Sequence, residues 1–450
     1  MPIPSHIFRS YNIRGLLHEV TGEVAQQAAR ALLAITHAKK VVVGRDMRQT
    51  SPELAQAAID VFVAAGVDVE DIGMCTSSLY NFAVTARSDI GAGFMVTASH
   101  NPAEYNGIKM GHPNGLPISG MEVLETMNEE IPLAGKKGVH TSYDALATYL
   151  ATCCERAQAP RGEGTKIVID YGNGMGALSM RPLCEKLGFD VVELYAEPDA
   201  RFPHHEANPA KEETLSDLKK KVREEGADFG VALDGDADRV AFVDNEGNAV
   251  GGDIALALMA RERLQSYAGG KVLYSINASW AVEDAVLASG GIPVPCPVGN
   301  TKIIKRMQEE GGVLGGEVSS HFFFPEFHNL ESVDYAFLTV FGIWKCSQQT
   351  FANMIRPLRT YYNSQEMNYE VEDKDGAIAA MQRAYEPQAT KKITIDGLRY
   401  EYHRDWWILV RKSNTEPLIR VTIEAKTQEM LNEKKEEVQA LLQDFLPAQH

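Results

Sequence analysis

The chain has 450 residues, a formal net charge of −17, 44% hydrophobic residues and 23% charged residues. That is an ordinary globular composition, and its acidic balance argues against nucleic acid, which needs a basic surface. There is no apolar run of about 18 residues, so no membrane span is expected, and Met1 to Tyr11 lacks the long apolar stretch of a signal peptide.

At about 150 residues per domain, the length suggests roughly three domains. Short apolar runs alternate with amphipathic stretches throughout, the pattern of an α/β chain. Val41-Val42-Val43 reads as a strand ending at Gly44. Ser51-Pro52 then reads as a helix cap plus first-turn proline, opening a helix that turns Leu54, Ile59, Phe62 and Val63 inward and stops near Gly66. Phe94-Met95-Val96 is a second strand, followed by Thr97-Ala98-Ser99-His100-Asn101-Pro102 and Tyr105-Asn106-Gly107-Ile108-Lys109. A serine after a strand, with a histidine beside it and a lysine nearby, fits a nucleophile with acid–base helpers. It lacks the G-x-S-x-G elbow of α/β-hydrolases, and an ordinary Ser-His loop pair is an equally open reading.

Ile167-Val168-Ile169 is a third strand. Gly172-Asn173-Gly174-Met175-Gly176-Ala177 follows it and fits G-x-G-x-x-A, with Glu193 spaced for a ribose contact. Alone, this reads as a dinucleotide-binding unit. A fourth strand, Phe229 to Leu233, leads into Asp234-Gly235-Asp236-Ala237-Asp238-Arg239. Three carboxylates at alternate positions of a tight loop repel one another unless a cation is bound, and hard oxygen ligands suit Mg²⁺ or Ca²⁺. A solvated acidic turn is the competing reading. An EF-hand fails, because Arg239 stands at the glycine position and Asn245 at the closing glutamate.

Farther on, Gly316-Glu317-Val318-Ser319-Ser320-His321 lies between Val313-Leu314 and Phe322-Phe323-Phe324; glutamate and serine are natural ligands for sugar hydroxyls. In the C-terminal stretch, Trp406 to Val410 and Leu418 to Ala425 read as strands around a polar turn, and Val438, Leu441, Leu442 and Phe445 mark a closing helix. That turn, Arg411-Lys412-Ser413-Asn414-Thr415-Glu416-Pro417, followed by Arg420, groups arginines and hydroxyls as a phosphate cradle would. An exposed hairpin turn is the alternative. Boundaries near 147, 253 and 362 give four domains, 1–147, 148–253, 254–361 and 362–450. No internal repeat is visible, although divergence can hide repeated βα units. Six scattered cysteines, Cys75, Cys153, Cys154, Cys184, Cys296 and Cys346, form no CxxC pair, so packed, reduced thiols in a cytoplasmic protein are expected.

Taken together, these segments resemble the α-D-phosphohexomutase superfamily, with phosphomannomutase/phosphoglucomutase as the nearest subgroup. The resemblance runs in order along the whole chain. It begins with Ile7-Phe8-Arg9-Ser10-Tyr11-Asn12-Ile13-Arg14-Gly15 and Val43-Gly44-Arg45-Asp46, and continues through the serine segment, Pro198-Asp199-Ala200-Arg201-Phe202-Pro203 and the aspartate loop. It ends with the 316–321 and 411–417 segments. The fold it implies is three similar mixed-sheet α/β domains plus a C-terminal α+β domain like the TATA-binding protein, all around a central cleft.

By the same resemblance Ser99 is a phosphoserine, and Asp234, Asp236 and Asp238 hold Mg²⁺ together with it. His100, Lys109 and Arg14 are catalytic, Lys109 as general acid/base. Glu317, Ser319 and His321 meet the sugar, joined by Tyr11 and Arg239, while Arg411, Ser413, Asn414, Thr415 and Arg420 grip the other phosphate. The implied activity interconverts mannose or glucose 6- and 1-phosphates through a hexose 1,6-bisphosphate, in a monomer or homodimer with no nucleic-acid or membrane partner. Phosphoglucosamine mutase, a metal-dependent phosphatase, a dinucleotide oxidoreductase and a non-catalytic phosphosugar binder are the alternatives. In this family the glycine turn at 172–177 is a plain structural turn. Three places depart from the pattern: Asn12 replaces Asp, Gly299-Asn300-Thr301 replaces Gly-His-Ser/Thr, and Glu331-Ser332-Val333-Asp334-Tyr335 replaces an acidic, glycine-containing segment.

Overall fold

The computed structural model describes residues 3–127, 129, 135–413 and 417–447. Three sheets share one plan. In the first, Lys40–Arg45 runs parallel to Asp68–Met74 and Ala92–Val96, and Tyr105–Gly111 lies antiparallel to Ala92–Val96. In the second, Lys166–Asp170 is parallel to Asp190–Leu194 and Phe229–Leu233, with Val240–Asp244 antiparallel beside the latter. In the third, Lys271–Ser275 is parallel to Ile292–Cys296 and Gly312–Gly316, with Phe322–Phe324 antiparallel beside the latter. Helices Ser51–Ala64, Ala177–Leu187 and Trp280–Ala288 make the first crossovers, and Ser77–Thr85, Ser216–Glu225 and Asn300–Glu310 the second. The repeat is silent in sequence because it fixes only the order of elements and which residues are buried, and many apolar residues satisfy that. Strands covered on both faces become continuous apolar runs; Ala92–Val96 and Phe229–Leu233 are buried at every residue.

The first domain extends its sheet in a way that matters for the site. Ile13–Leu16 pairs outside Tyr105–Gly111 and sets Arg14 opposite Gly107. One apolar core then runs through all three domains, with Met95, Ile169 and Phe324 among its members. The fourth sheet is antiparallel, with Leu418–Ala425 and Trp406–Lys412 at its centre. Helices Lys374–Tyr385 and Gln428–Leu442 contribute to its separate core, where Met381 and Val438 pack with Ile408 and Val421. In another cluster Trp407 and Leu409 pack on Ile276 and Trp280 of the third domain. Glu424 pins this joint by accepting from Trp280 N at 2.9 Å and Trp407 Nε1 at 2.8 Å.

Several local expectations shift. Ser51 begins the helix instead of capping it, and its hydroxyl donates to Asp46 Oδ1 at 2.6 Å. Val63 is half-buried, and Phe445 falls in a short 3-10 turn beyond the last helix. Cys75, Cys153, Cys184 and Cys296 are buried, but Cys154 is half-buried and Cys346 exposed, so packing accounts for four of the six thiols. No helix among the described residues is long and apolar enough to cross a membrane.

Candidate active site

The three sheets share more than topology. In each, the connection between the third parallel strand and its antiparallel neighbour carries one of the polar segments singled out in the sequence: 97–104, 234–239 and 317–321. Each holds a non-glycine residue in the left-handed region, Ser99 (φ 51°), Ala237 (φ 54°) and Ser320 (φ 69°). Such conformations cost energy and persist only where the surroundings enforce them.

For Ser99 the enforcement is visible. Thr97 Oγ1 accepts from Ser99 N at 2.9 Å, while buried Arg48 donates to the carbonyls of Ser99 (2.9 Å), Pro102 (2.7 Å) and Tyr105 (2.8 Å). The Ser99 hydroxyl reaches across the domain boundary, donating to Asp234 Oδ2 at 2.9 Å, and lies 3.2 Å from His100 Nδ1. Burial, with Arg239 and Arg14 nearby, pushes the His100 imidazole well below its usual value, so the ring is neutral. Arg14 donates to Asn101 Oδ1 at 2.8 Å; burial lowers its guanidinium to about 10, which leaves it charged at neutral pH.

In the second loop, Asp234 Oδ1 accepts from the backbone N–H groups of Asp238 (2.9 Å) and Arg239 (3.1 Å). Burial and the two neighbouring carboxylates push the Asp234 carboxyl well up. Lys109 Nζ donates to Asp236 Oδ2 and Asp238 Oδ2, both at 2.7 Å. Burial opposes its charge, but the two carboxylates outweigh that and raise its pKa. Each aspartate offers an oxygen within 4.8 Å of the others, and Asp236 Oδ1 is buried without a hydrogen-bond partner. A compact set of hard oxygen donors with an unsatisfied buried member fits a divalent cation such as Mg²⁺.

The third loop faces the second. His321 Nε2 lies 3.2 Å from Asp238 Oδ1, and its Nδ1 lies 3.1 Å from Glu317 Oε2 and 2.9 Å from Ser319 Oγ. Against the effect of burial and of Arg239, Asp238 lifts His321 to about 10. Arg239 Nε is 3.3 Å from the same ring. Glu317 Oε1 accepts from Gly299 N at 2.8 Å.

Tyr11, Arg14, Ser99, His100, Lys109, Asp238, Arg239, Glu317, Ser319 and His321 all line one cavity of about 340 Å³, and Asp234 and Asp236 sit behind it through the Ser99 and Lys109 bonds. Of the C-terminal candidates among the described residues, Arg411, Ser413 and Arg420 do not line it. Arg411 pairs with Asp396 (3.1 Å) and Glu366 (3.5 Å), and Arg420 with Glu366 (3.1 Å). Ser413 is buried, and Asn414 and Thr415 lie outside the described residues. The fourth domain nevertheless borders the cavity: Val298, which lines it, donates its N–H to Asp396 Oδ2 at 2.9 Å.

The glycine turn at 172–177 packs against the aspartate loop. Met175 N donates to Gly235 O at 2.9 Å, and a Cβ on Gly174 would meet that same oxygen at 2.8 Å. Glu193 is engaged by Arg181 at 2.9 Å and Tyr171 at 3.1 Å. This turn buttresses the carboxylates and has no free acidic end for a ribose.

Sequence reasoning missed Arg48, Asn101, Ser77 and Asn81. The first three organise the loops, and Asn81 lines the cavity. Asn101 sat inside a quoted motif. Arg48 lies two residues past another, and nothing in the sequence marks its carbonyl acceptors at Ser99, Asn101, Pro102 and Tyr105.

Comparison with known proteins points one way. The chain matches successive models of the phosphoglucomutase/phosphomannomutase family: α/β/α domain I over 5–131, domain II over 144–247, domain III over 251–362 and the C-terminal domain over 366–441. A phosphomannomutase/phosphoglucomutase of Pseudomonas aeruginosa is 33% identical, covering 96% of this chain and 94% of its own. A probable phosphoglucosamine mutase of Methanopyrus kandleri is 35% identical over 96% of each. The crystal structure of a family protein from Burkholderia thailandensis superposes with a TM-score of 0.89 at 29% identity, covering 100% of this chain and 99% of that one.

Proposed function

The chain belongs to the phosphoglucomutase/phosphomannomutase family, and from that premise we propose that it is a cytoplasmic phosphohexomutase interconverting mannose or glucose 6- and 1-phosphates. The observation that carries this reading is the bond from the Ser99 hydroxyl to Asp234, which joins a serine of one domain to an aspartate trio of the next at the wall of a sugar-sized cavity. Phosphoryl transfer requires little covalent chemistry from a protein, chiefly in-line positioning and charge neutralisation.

Phosphorylated Ser99 gives its phosphoryl group to a sugar hydroxyl: the serine O–P bond breaks, a sugar O–P bond forms, and the hydroxyl proton passes through Lys109 to the freed serine oxygen. The resulting hexose 1,6-bisphosphate turns around, and its other phosphate returns to Ser99. Asp234, Asp236 and Asp238 would hold Mg²⁺, which when bound supplies positive charge to the phosphoryl oxygens. Lys109, an ammonium at rest, adds charge and relays the proton, giving its own to the departing serine oxygen and taking the sugar hydroxyl's in its place. Arg14 steadies the phosphoryl group beside Asn101. Glu317 and Ser319 take the sugar hydroxyls, with Tyr11, Arg239 and His321 completing the wall. Arg411, Ser413, Asn414, Thr415 and Arg420 would take the distal phosphate, a reading supported by the fourth domain's Asp396 bonding Val298 at the cavity wall.

Intact-mass measurement with coupled assays on mannose, glucose and glucosamine 1-phosphates tests this. A partial phosphate adduct at Ser99 is expected, and Ser99→Ala should lose both the adduct and nearly all turnover. Full activity in that variant would end the phosphoserine mechanism, and a preference for the glucosamine ester would move the substrate to the amino sugar.

A further inference from the structure

Ser77 opens the helix Ser77–Thr85, is 3% exposed and lines the cavity. Its backbone N–H donates to the Asp236 carbonyl at 2.7 Å, which docks the helix onto the aspartate loop. Its hydroxyl makes a separate contact, donating to Asp236 Oδ2 at 2.6 Å and accepting from Lys109 Nζ at 3.2 Å. Asp236 Oδ2 thus receives two donors while Asp236 Oδ1 has none. A carboxylate pinned by one oxygen presents the other in a fixed direction, and hydrogen-bond partners of this kind orient metal ligands.

We propose that Ser77 is a positioning residue of the reaction: its hydroxyl fixes the Asp236 carboxylate so that Oδ1 is presented to the divalent cation, and it keeps the Lys109 ammonium against the same group. A serine from the first domain thereby sets a cation ligand of the second, just as Ser99 bonds Asp234. A purely structural role belongs to the backbone N–H, which alanine retains, so the hydroxyl's part can be separated from it. The inference rests on the aspartate trio being the cation's holders.

The test is Mn²⁺ binding, followed by electron paramagnetic resonance on the full chain at matched Ser99 phosphorylation, for wild type, Ser77→Ala and Ser77→Thr. Melting in chelator checks that each is folded. Ser77→Ala should weaken Mn²⁺ binding about ten- to hundredfold, and Ser77→Thr, which keeps the hydroxyl, should restore most of it. Equal affinity in folded wild type and Ser77→Ala overturns the role of Ser77 while leaving the cation site standing. Should Ser77→Ala not fold, a Ser77→Thr affinity as low as that of an Asp236→Asn control overturns it as well. Wild type that binds no Mn²⁺ overturns both readings.

Discussion

Asn300 donates its Nδ2 to Glu331 Oε1 at 3.1 Å, and Asn81 Nδ2 approaches the other carboxylate oxygen at 3.4 Å. Glu331 is 4% exposed and lines the cavity. A buried carboxylate held by two amides therefore ties the first domain to the third at the wall of the cavity. Asn300 and the 331–335 segment are two separate departures in sequence, but in space they form one feature. Removing one partner of a buried hydrogen bond costs about 1–3 kcal/mol.

Asn300→Ala and Glu331→Gln should accordingly be non-additive. A double-mutant cycle on unfolding free energy in urea should return a coupling of about 0.5–3 kcal/mol. Additivity would mean that the two residues act independently, and the pair would then explain neither departure.

Removal of the divalent cation gives a second prediction. Excess chelator should abolish turnover and added Mg²⁺ should restore it, while Asp236→Asn should raise the Mg²⁺ concentration needed for half-activation by at least about tenfold. Undiminished turnover in chelator would refute a cation role for the 234–239 loop.

What sequence reading reached, and what it missed, follows from how each feature is encoded. The aspartate loop is contiguous and its charges conflict, so local chemistry alone raises a cation against a solvated acidic turn. The strands Ala92–Val96 and Phe229–Leu233 were legible because burial on both faces makes them apolar throughout. Arg48 and Ser77 were not legible: their partners lie about fifty residues on, around the Ser99 loop, or in another domain, and an arginine or serine has no periodic signature. The threefold plan was hidden for a related reason. The three loops share a position in the fold and a left-handed residue, but Ser99, Ala237 and Ser320 have little chemistry in common.

Asp334 supplies a pH-dependent stability prediction away from the cation loop. It is buried, with Oδ2 accepting from the Tyr149 hydroxyl at 2.8 Å. Burial raises its carboxyl to about 6, with the Tyr149 hydrogen bond opposing. Between about 4, the unfolded value, and 6 the folded chain therefore binds the proton more tightly, and this group's contribution to stability falls as pH rises. Across two units the loss approaches roughly 3 kcal/mol. Asp334→Asn should melt higher than wild type at pH 7.5 and lose most of that advantage at pH 4.5. Melting curves showing the same difference at both pH values would contradict it.

The last prediction concerns the fourth domain. Arg411 and Arg420 both meet Glu366 in this structure, so the basic groups proposed to grip a phosphate already carry a carboxylate. On that proposal an incoming phosphate has to displace Glu366, and a bisphosphate that lets go and turns around would be held less tightly for that reason. Binding energy drawn from the distal phosphate positions the reacting end, and closure of the domain over the cavity would also exclude water. Loss of one charged contact costs roughly 1.5–3 kcal/mol, or about ten- to over a hundredfold in kcat/KM. Arg420→Ala should show that loss in both directions of the reaction, with Ser99 phosphorylation intact. Glu366→Gln should act oppositely, lowering KM as the competing charge is removed, and should lower kcat where release of the bisphosphate limits turnover. A loss in one direction only would mean that the clamp does not serve both phosphates, and an unchanged KM in Glu366→Gln would mean that the carboxylate does not compete.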